Sequence, residues 1–418
     1  MKKVLLLCLL IIFSTYSFSF GEELVLSGEG AILIDYDSKE VLYEKNSHTK
    51  FYPASTTKIM TGILAIELGN LEDIVTVDQE VVNLTDGSHI ALEPGEMMKL
   101  KDLLNALLIE SANDSALAIG KHISGSLEEF VKLMNDKAVE VGTLNTNFVN
   151  PNGLHDDNHV TTAYDLAMIA RYAMENETFR SYVKNYTATI EPTNKKSEVR
   201  YLKSANRLLY STEKIDVDGI AVPIKYEGVQ GVKSGYTTKS QNCLVTYAEK
   251  DNKRLIAVVL KSDGRNIYSD THKLLNYGFN NFENIKIANK NEFVDNINIP
   301  KGIIPFVAGI IENDVYSLVN KEDVSKIERK VSLNGEITAP VSKGDIIGTA
   351  EYFANGKSIG KSNILSTSDV EIDPMTKLSN RLLSKWYYFV FILLIVLRIT
   401  VLSMKRKRRR NRRYYFAK

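Results

Sequence analysis

The sequence predicts an α+β domain followed by a small all-β sandwich and one membrane-spanning helix. Three observations carry that prediction. Hairpin patterns at 31–44 and 244–260 bracket a run of helix-period segments, so strands and helices come in blocks rather than in strict alternation. Residues 284–373 hold short period-2 stretches separated by Pro, Gly and Asn/Lys-rich breaks, the spacing of a sandwich. Residues 386–404 form an apolar run interrupted only by Arg398 and a few hydroxyls.

The two ends predict where the chain works. Met1-Lys2-Lys3 followed by the apolar 4–13 and a polar, small-residue stretch reads as a secretory signal peptide over 1–22, with Cys8 discarded inside it. At 1.5 Å per residue, the roughly 19 residues of 386–404 nearly match a ~30 Å hydrocarbon core. Trp386-Tyr387-Tyr388 supply an aromatic belt, and the 405–418 tail opens with a Lys/Arg run that places it in the cytoplasm. Arg398 is close enough to that interface to snorkel. The basic run, directly after a span, suits topology and anionic lipid rather than nucleic acid. Nine tail cations, Arg398 and the Lys2-Lys3 pair make twelve; taking them from the formal +1 leaves −11 for the rest of the chain. An acidic body argues against a nucleic-acid partner. Once the leader is removed, Cys243 is the one cysteine, so no intramolecular disulfide forms. A chain 44% hydrophobic holds enough apolar residues for two domains, expected at 23–280 and 284–373.

In chain order, Asp37-Ser38-Lys39-Glu40 is the turn of the first hairpin. Pro53-Ala54-Ser55-Thr56-Thr57-Lys58 follows, leading into helix formers up to the break at Gly69-Asn70. Ser55 then sits in the first turn, near the unpaired N–H groups that favour anionic oxygen. Lys58, three residues on, shares its face. A serine with a desolvated lysine one turn away is a nucleophile–base pair, although S-x-x-K alone is a weak signal. Residues 100–123 are helical in period but interrupted by Glu110-Ser111-Ala112-Asn113-Asp114-Ser115. That cluster is either a cap between two helices or a hydroxyl and an amide pushed into a cleft. Helix 127–141 comes next, then the loop at 150–159. His155 and His159 invite a metal, but Pro151-Asn152-Gly153 just before them argues for a loop, where an H-x-x-x-H pair does not converge. Residues 162–167 start a capped helix. Residues 228–237 make a strand carrying Lys233, Ser234, Gly235 and Tyr236, and a hairpin turning at Asp251-Asn252 follows. Cys243 reads as a buried small hydrophobe.

Three separately weak signals fall in one order: Ser55-x-x-Lys58, Ser111-x-Asn113, Lys233-Ser234-Gly235. This motif set resembles that of penicillin-binding proteins and class A β-lactamases. More narrowly, the chain resembles the low-molecular-weight D-alanyl-D-alanine carboxypeptidases, serine peptidases of the S11 family. The likeness spans roughly residues 24–373, through the stretches 53–61, 150–154, 161–167 and 231–237. It implies a penicillin-binding/serine β-lactamase-like transpeptidase fold, an antiparallel sheet with a helical cluster beside it.

The resemblance also implies roles. Ser55 attacks the carbonyl of the penultimate D-alanine, and Lys58 takes its proton. Ser111 relays that proton toward the leaving amine, while Asn113 orients the substrate amide. Lys233 and Ser234 hold the terminal carboxylate beside Gly235, and the N–H groups of Ser55 and Tyr236 form the oxyanion hole. No cofactor or metal is implied. The implied partners are peptidoglycan stem peptides, β-lactams as covalent inhibitors, and the cytoplasmic membrane, with the catalytic domain on its outer side. Two departures stand out. Ser234 replaces the family's usual threonine, and the chain ends in a span where relatives often end in an amphipathic surface helix. Three other readings use the same sequence: a D,D-endopeptidase, a class A-like β-lactamase, and a catalytically silent wall-binding protein. For the β-lactamase, the nearest E-x-x-L-N match, at 140–145, is one residue too long.

Overall fold

The computed structural model describes residues 24–415, so the predicted leader lies outside the described residues. Two compact units divide near residue 284. The first is built on a five-stranded antiparallel sheet. Strand β1 (Gly30–Asp35) turns through 36–40 into β2 (Val41–Lys45). The turn is tied by the Asp35 carboxylate, which accepts from Ser38 N at 2.9 Å and Ser38 Oγ at 2.6 Å. The chain then leaves the sheet for its helices: α1 (Lys58–Leu68), α2 (Leu100–Asn105), α3 (Asn113–Ser124), α4 (Leu127–Val141) and α5 (Ala163–Glu175). It returns as β3 (Val229–Thr237), β4 (Gln241–Lys250) and β5 (Lys253–Ser262), closed by α6 (Asn266–Asn281). Spatial order is β2-β1-β5-β4-β3, which leaves β3 at an edge.

The sequence explains the layers. All six residues of β1 are buried, as expected for a strand covered on both faces. Ile32 and Ile34 join the helical core with Ile59, Ile63 and Leu104. Leu33, pointing the other way, approaches α6 at Gly278, where a Cβ would meet Leu33 and Leu255 side chains at 2.9 and 2.6 Å. The β4–β5 hairpin turns where both Asp251 and Asn252 take positive φ (51° and 59°), the twist that two-residue hairpins favour. Gly30 pairs with Leu260 and Asp35 with Leu255. A second tie crosses the same distance: Asp270 accepts from the N–H groups of Ser27 (2.9 Å) and Gly28 (2.8 Å) and from Ser262 Oγ (3.0 Å).

The second unit holds β6 (Phe293–Asn298), β7 (Phe306–Ile311), β8 (Glu328–Leu333), β9 (Ile346–Ala354) and β10 (Lys357–Ser366), in the order β6-β7-β10-β9-β8. Ala288, Val315 and Val319, from a separate two-stranded ribbon, share its core with Ile311, Ala350 and Ile364. Two stretches differ from expectation. Strand β6 was not anticipated, because its burial alternates over only Val294 and Ile297. Pro374–Ser384, between the predicted sandwich and the predicted span and read from the sequence without a helix of its own, is helix α7. Helix α8 (Trp386–Tyr415) follows; within Trp386–Arg408 its 18-residue apolar window has a mean hydropathy of 2.2 and none of it is buried in the protein. It continues past the predicted end at 404 as a basic helix, since Lys and Arg are good helix formers.

Candidate active site

Ser55 lies in a tight turn, Ala54–Thr57, that leads directly into α1. The Pro53 carbonyl accepts from Thr56 Oγ1 at 2.7 Å and from Thr56 N at 3.3 Å, closing the turn. Ala54 is held at φ 49°, a left-handed conformation costly for alanine that persists only where its surroundings enforce it. Two distant glycines do so. A Cβ on Gly153 (φ +86°) would lie 1.9 Å from the Ala54 carbonyl oxygen, and one on Gly235 would lie 2.7 Å from Ser55 N. Both segments press backbone against backbone, which no other residue allows.

Lys58 is completely buried. Its ammonium reaches Ser55 Oγ at 3.0 Å, Asn113 Oδ1 at 2.6 Å and the Asn152 carbonyl at 2.6 Å. Burial pushes its pKa well below the usual lysine value; the Lys233 cation adds to that and Asp114 opposes it. The three partners differ in kind. The two oxygens of Asn113 and Asn152 only accept, whereas the serine hydroxyl also donates. A neutral Lys58 therefore gives its two N–H groups to the asparagines and turns its lone pair toward the Ser55 O–H.

The interrupted helix resolves into a joint. α2 ends in a wide π-helical turn at Ala106–Glu110, Ser111 takes a left-handed conformation (φ 69°), and α3 begins at Asn113. Such turns concentrate at functional sites. Ser111 is buried, and its hydroxyl makes no hydrogen bond among the described residues. Asn113 is held from both ends: Oδ1 accepts from Lys58, and Nδ2 donates to the Asp86 carbonyl at 2.5 Å. Buried Asp114 binds the N–H groups of Ile90 and Leu92 at 3.1 and 3.0 Å, fixing the loop that carries Asp86.

Edge strand β3 supplies the opposite wall. Lys233 is buried and donates to the Ser234 carbonyl at 3.0 Å; burial pushes its pKa down to about 7, against the pull of Glu110. Gly235 lies against Ser55, while the next residue, Tyr236, is 63% exposed. The two histidines do not converge. His159 Nδ1 accepts from Val149 N at 3.1 Å and its Nε2 meets Thr57 Oγ1 at 2.9 Å, while His155 packs edge-on against Tyr52. Cys243 is buried and its thiol is pushed up to about 12 by burial. Glu140 is exposed and pairs with Lys137 on α4.

A family profile described as D-alanyl-D-alanine carboxypeptidase matches residues 21–264, over half the chain, and a second, penicillin-binding protein 5 C-terminal domain, matches 282–372. The chain belongs to the D-alanyl-D-alanine carboxypeptidases. Among the relatives of this carboxypeptidase is DacF of Bacillus subtilis, a D-alanyl-D-alanine carboxypeptidase 33% identical over 375 residues, 88% of this chain and 92% of that protein. Its fold matches penicillin-binding protein 5 from Haemophilus influenzae at a TM-score of 0.68 and 27% identity, covering 83% of this chain and 98% of that one. A Streptomyces K15 DD-transpeptidase matches at 0.56 and 28%, over 62% and 99%. This carboxypeptidase is thus a serine peptidase with the α+β fold that its sequence predicted.

Two features of the carboxypeptidase's site escaped the sequence. The Asn152 carbonyl is backbone and leaves no side-chain signature, although the Pro-Asn-Gly turn around it marked the place. Asn113, expected to face the substrate alone, also accepts from Lys58, and the H-bond capacity of an amide gives no hint of that in advance.

Proposed function

We propose that the chain removes the terminal D-alanine from peptidoglycan stem pentapeptides through an ester on Ser55, and that β-lactams acylate the same oxygen. The carrying observation is the buried Lys58, placed between the Ser55 hydroxyl and two acceptor-only oxygens. The Ser55 proton passes to Lys58 as Oγ bonds to the carbonyl carbon of the penultimate D-alanine. Negative charge develops on the carbonyl oxygen, toward the N–H groups of Ser55 and Tyr236. As the C–N bond breaks, Ser111 relays the proton to the departing D-alanine amine. Water then cleaves the ester and returns a proton to Ser55. Lys233 and Ser234 meet the terminal carboxylate, which selects a free C-terminus. Asn113 turns its amide to the substrate while steadying Lys58.

The apolar run of α8 and the basic residues after it support a single-pass anchor, with the tail cytoplasmic and the catalytic unit outside. The test is mass spectrometry of the full chain in detergent, given a D-Ala-D-Ala stem peptide and, separately, penicillin. Release of one D-alanine and a penicilloyl adduct on Ser55, both abolished by Ser55→Ala, are expected. An adduct without release would point instead to an endopeptidase, and the absence of both signals would overturn the proposal.

A further inference from the structure

Two tyrosines near the cleft serve neither the core nor the reaction. Tyr186 is 50% exposed and stacks on half-buried Tyr210, with ring centroids 5.7 Å apart and planes 27° from parallel. Lys203 Nζ lies over the Tyr210 ring, 4.9 Å from its centroid, and makes no ion pair among the described residues. The backbone fixes all three. Ser204 N donates to the Tyr186 carbonyl at 2.8 Å, and the Tyr210 hydroxyl donates to the Ser204 carbonyl at 3.1 Å. Thr187 pairs with Lys203 across the two-stranded hairpin of Thr187–Ile190 and Arg200–Lys203. Tyrosines held in this way offer contact area while losing little conformational entropy when something binds.

Both walls of the cleft border the cluster. Lys203 N donates to Glu110 Oε2 at 2.8 Å and Ala205 N to the Ile109 carbonyl at 3.2 Å, which ties it to the joint at Ser111. On the other side, a Cβ on Gly231 would lie 2.8 Å from Val183 Cγ2. The segment leading to Tyr186 therefore packs against β3 two residues before Lys233. From Val183 to Tyr186 is three residues, ~10 Å at full extension.

A tyrosine is apolar on its faces and polar at its tip, and it suits a ligand built the same way. A pyranose has C–H bonds on its faces and hydroxyl and acetamido groups around its rim. A nucleobase is equally flat, but it brings phosphates to an acidic body. We propose that Tyr186, backed by Tyr210 and Lys203, binds an N-acetylated amino sugar of the glycan strand that carries the stem peptide. This rests on the carboxypeptidase reading and adds a sugar subsite to it. In a stem pentapeptide three residues lie between the sugar and D-Ala-D-Ala, a reach of ~10 Å. That reach is comparable to the few residues separating Tyr186 from Gly231 and Lys203 from Ser111. The exposed Tyr186 takes the C–H face of the sugar, and the Lys203 ammonium donates to its rim oxygens.

The full chain in detergent is assayed for D-alanine release from two substrates: an N-acetylated stem pentapeptide, and the same pentapeptide carried on a disaccharide of N-acetylated amino sugars. The disaccharide should raise kcat/KM about fivefold, the gain expected of one stacked ring. Tyr186→Ala should bring the ratio between the two substrates to about one, and Tyr186→Phe should keep it. Lys203→Gln should lower the ratio about twofold, as the loss of one exposed hydrogen bond would. Ratios are read within each variant, so a change in overall activity does not confuse them. A wild-type ratio near one overturns the sugar subsite, while release from the sugar-free pentapeptide keeps the carboxypeptidase reading. Equal losses on both substrates in Tyr186→Ala would assign the ring to the peptide and also overturn the subsite. Release from neither substrate, with no penicillin adduct, overturns both readings.

Discussion

Replacing His159 with glutamine should remove its share of the acid sensitivity of the catalytic unit. The ring is 1% exposed, accepts from Val149 N and faces Thr57 Oγ1. Since Nδ1 accepts, Nε2 carries the proton and donates to Thr57, the residue before Lys58. A second proton has nowhere to go without opposing the Val149 N–H. Burial is the main cause that pushes the His159 pKa down to about 4 from 6.5, aided by Lys58 and His155 against Asp156. The folded state therefore binds the proton less readily than the unfolded chain. Its stability is intact above about pH 6.5 and is lost as pH falls from there toward 4. A gap of about 2.5 pH units at 1.36 kcal/mol each is ~3 kcal/mol. For a unit of this size that is roughly 6–12 °C in Tm. Glutamine keeps one acceptor and one donor but does not titrate. Thermal unfolding of the full chain in detergent from pH 7.5 to 4 should show the wild type losing that much relative to His159→Gln. Parallel curves for the two proteins would refute the reasoning.

Two further outcomes follow from the lysines and the glycines. kcat/KM for D-alanine release should rise with pH as Lys58 gives up its proton. It should fall again above about pH 7 as Lys233, proposed above to meet the carboxylate as a cation, loses its own; a profile flat from pH 6 to 9 would contradict the proposed pairing of roles. Gly235→Ala would set a Cβ 2.7 Å from Ser55 N, so the turn must shift by several tenths of an ångström. Penicillin acylation, followed by intact-mass spectrometry, should slow about 10²-fold while the unfolding temperature changes little, and an unchanged acylation rate would count against the clamp.

Legibility in the sequence tracked the range of the interaction. Ser55 and Lys58 are one turn apart, so their contact is a property of local geometry and could be read from spacing. The joint at Ser111 was visible as polar residues inside an apolar helix. The Asp251-Asn252 hairpin was visible as turn chemistry. What stayed hidden was long-range or carried by backbone: the Asn152 carbonyl on Lys58, the Gly153 and Gly235 clamps on the Ser55 turn, and the Thr57–His159 strut. His159 in particular had been weighed as a metal ligand or a loop residue, since one histidine in a sequence does not announce which nitrogen is already occupied. Helix α7 was missed because its 374–384 stretch is short and amphipathic, and offers no apolar run like that of α8.

The pairing of β1 with β5 has a consequence for how such a chain comes into being. Gly30 finds Leu260, 230 residues later, and Ser27 and Gly28 find Asp270. A polypeptide emerging amino end first exposes Ser55 and Lys58 early and can pair β1 with β2 at once, yet the other edge of β1 has no partner until nearly the whole unit has emerged. Contacts of such sequence separation form slowly, after long loops have closed. The Ser55 turn is therefore completed late, because β3, whose Gly235 packs against Ser55 N, lies 180 residues further along the chain.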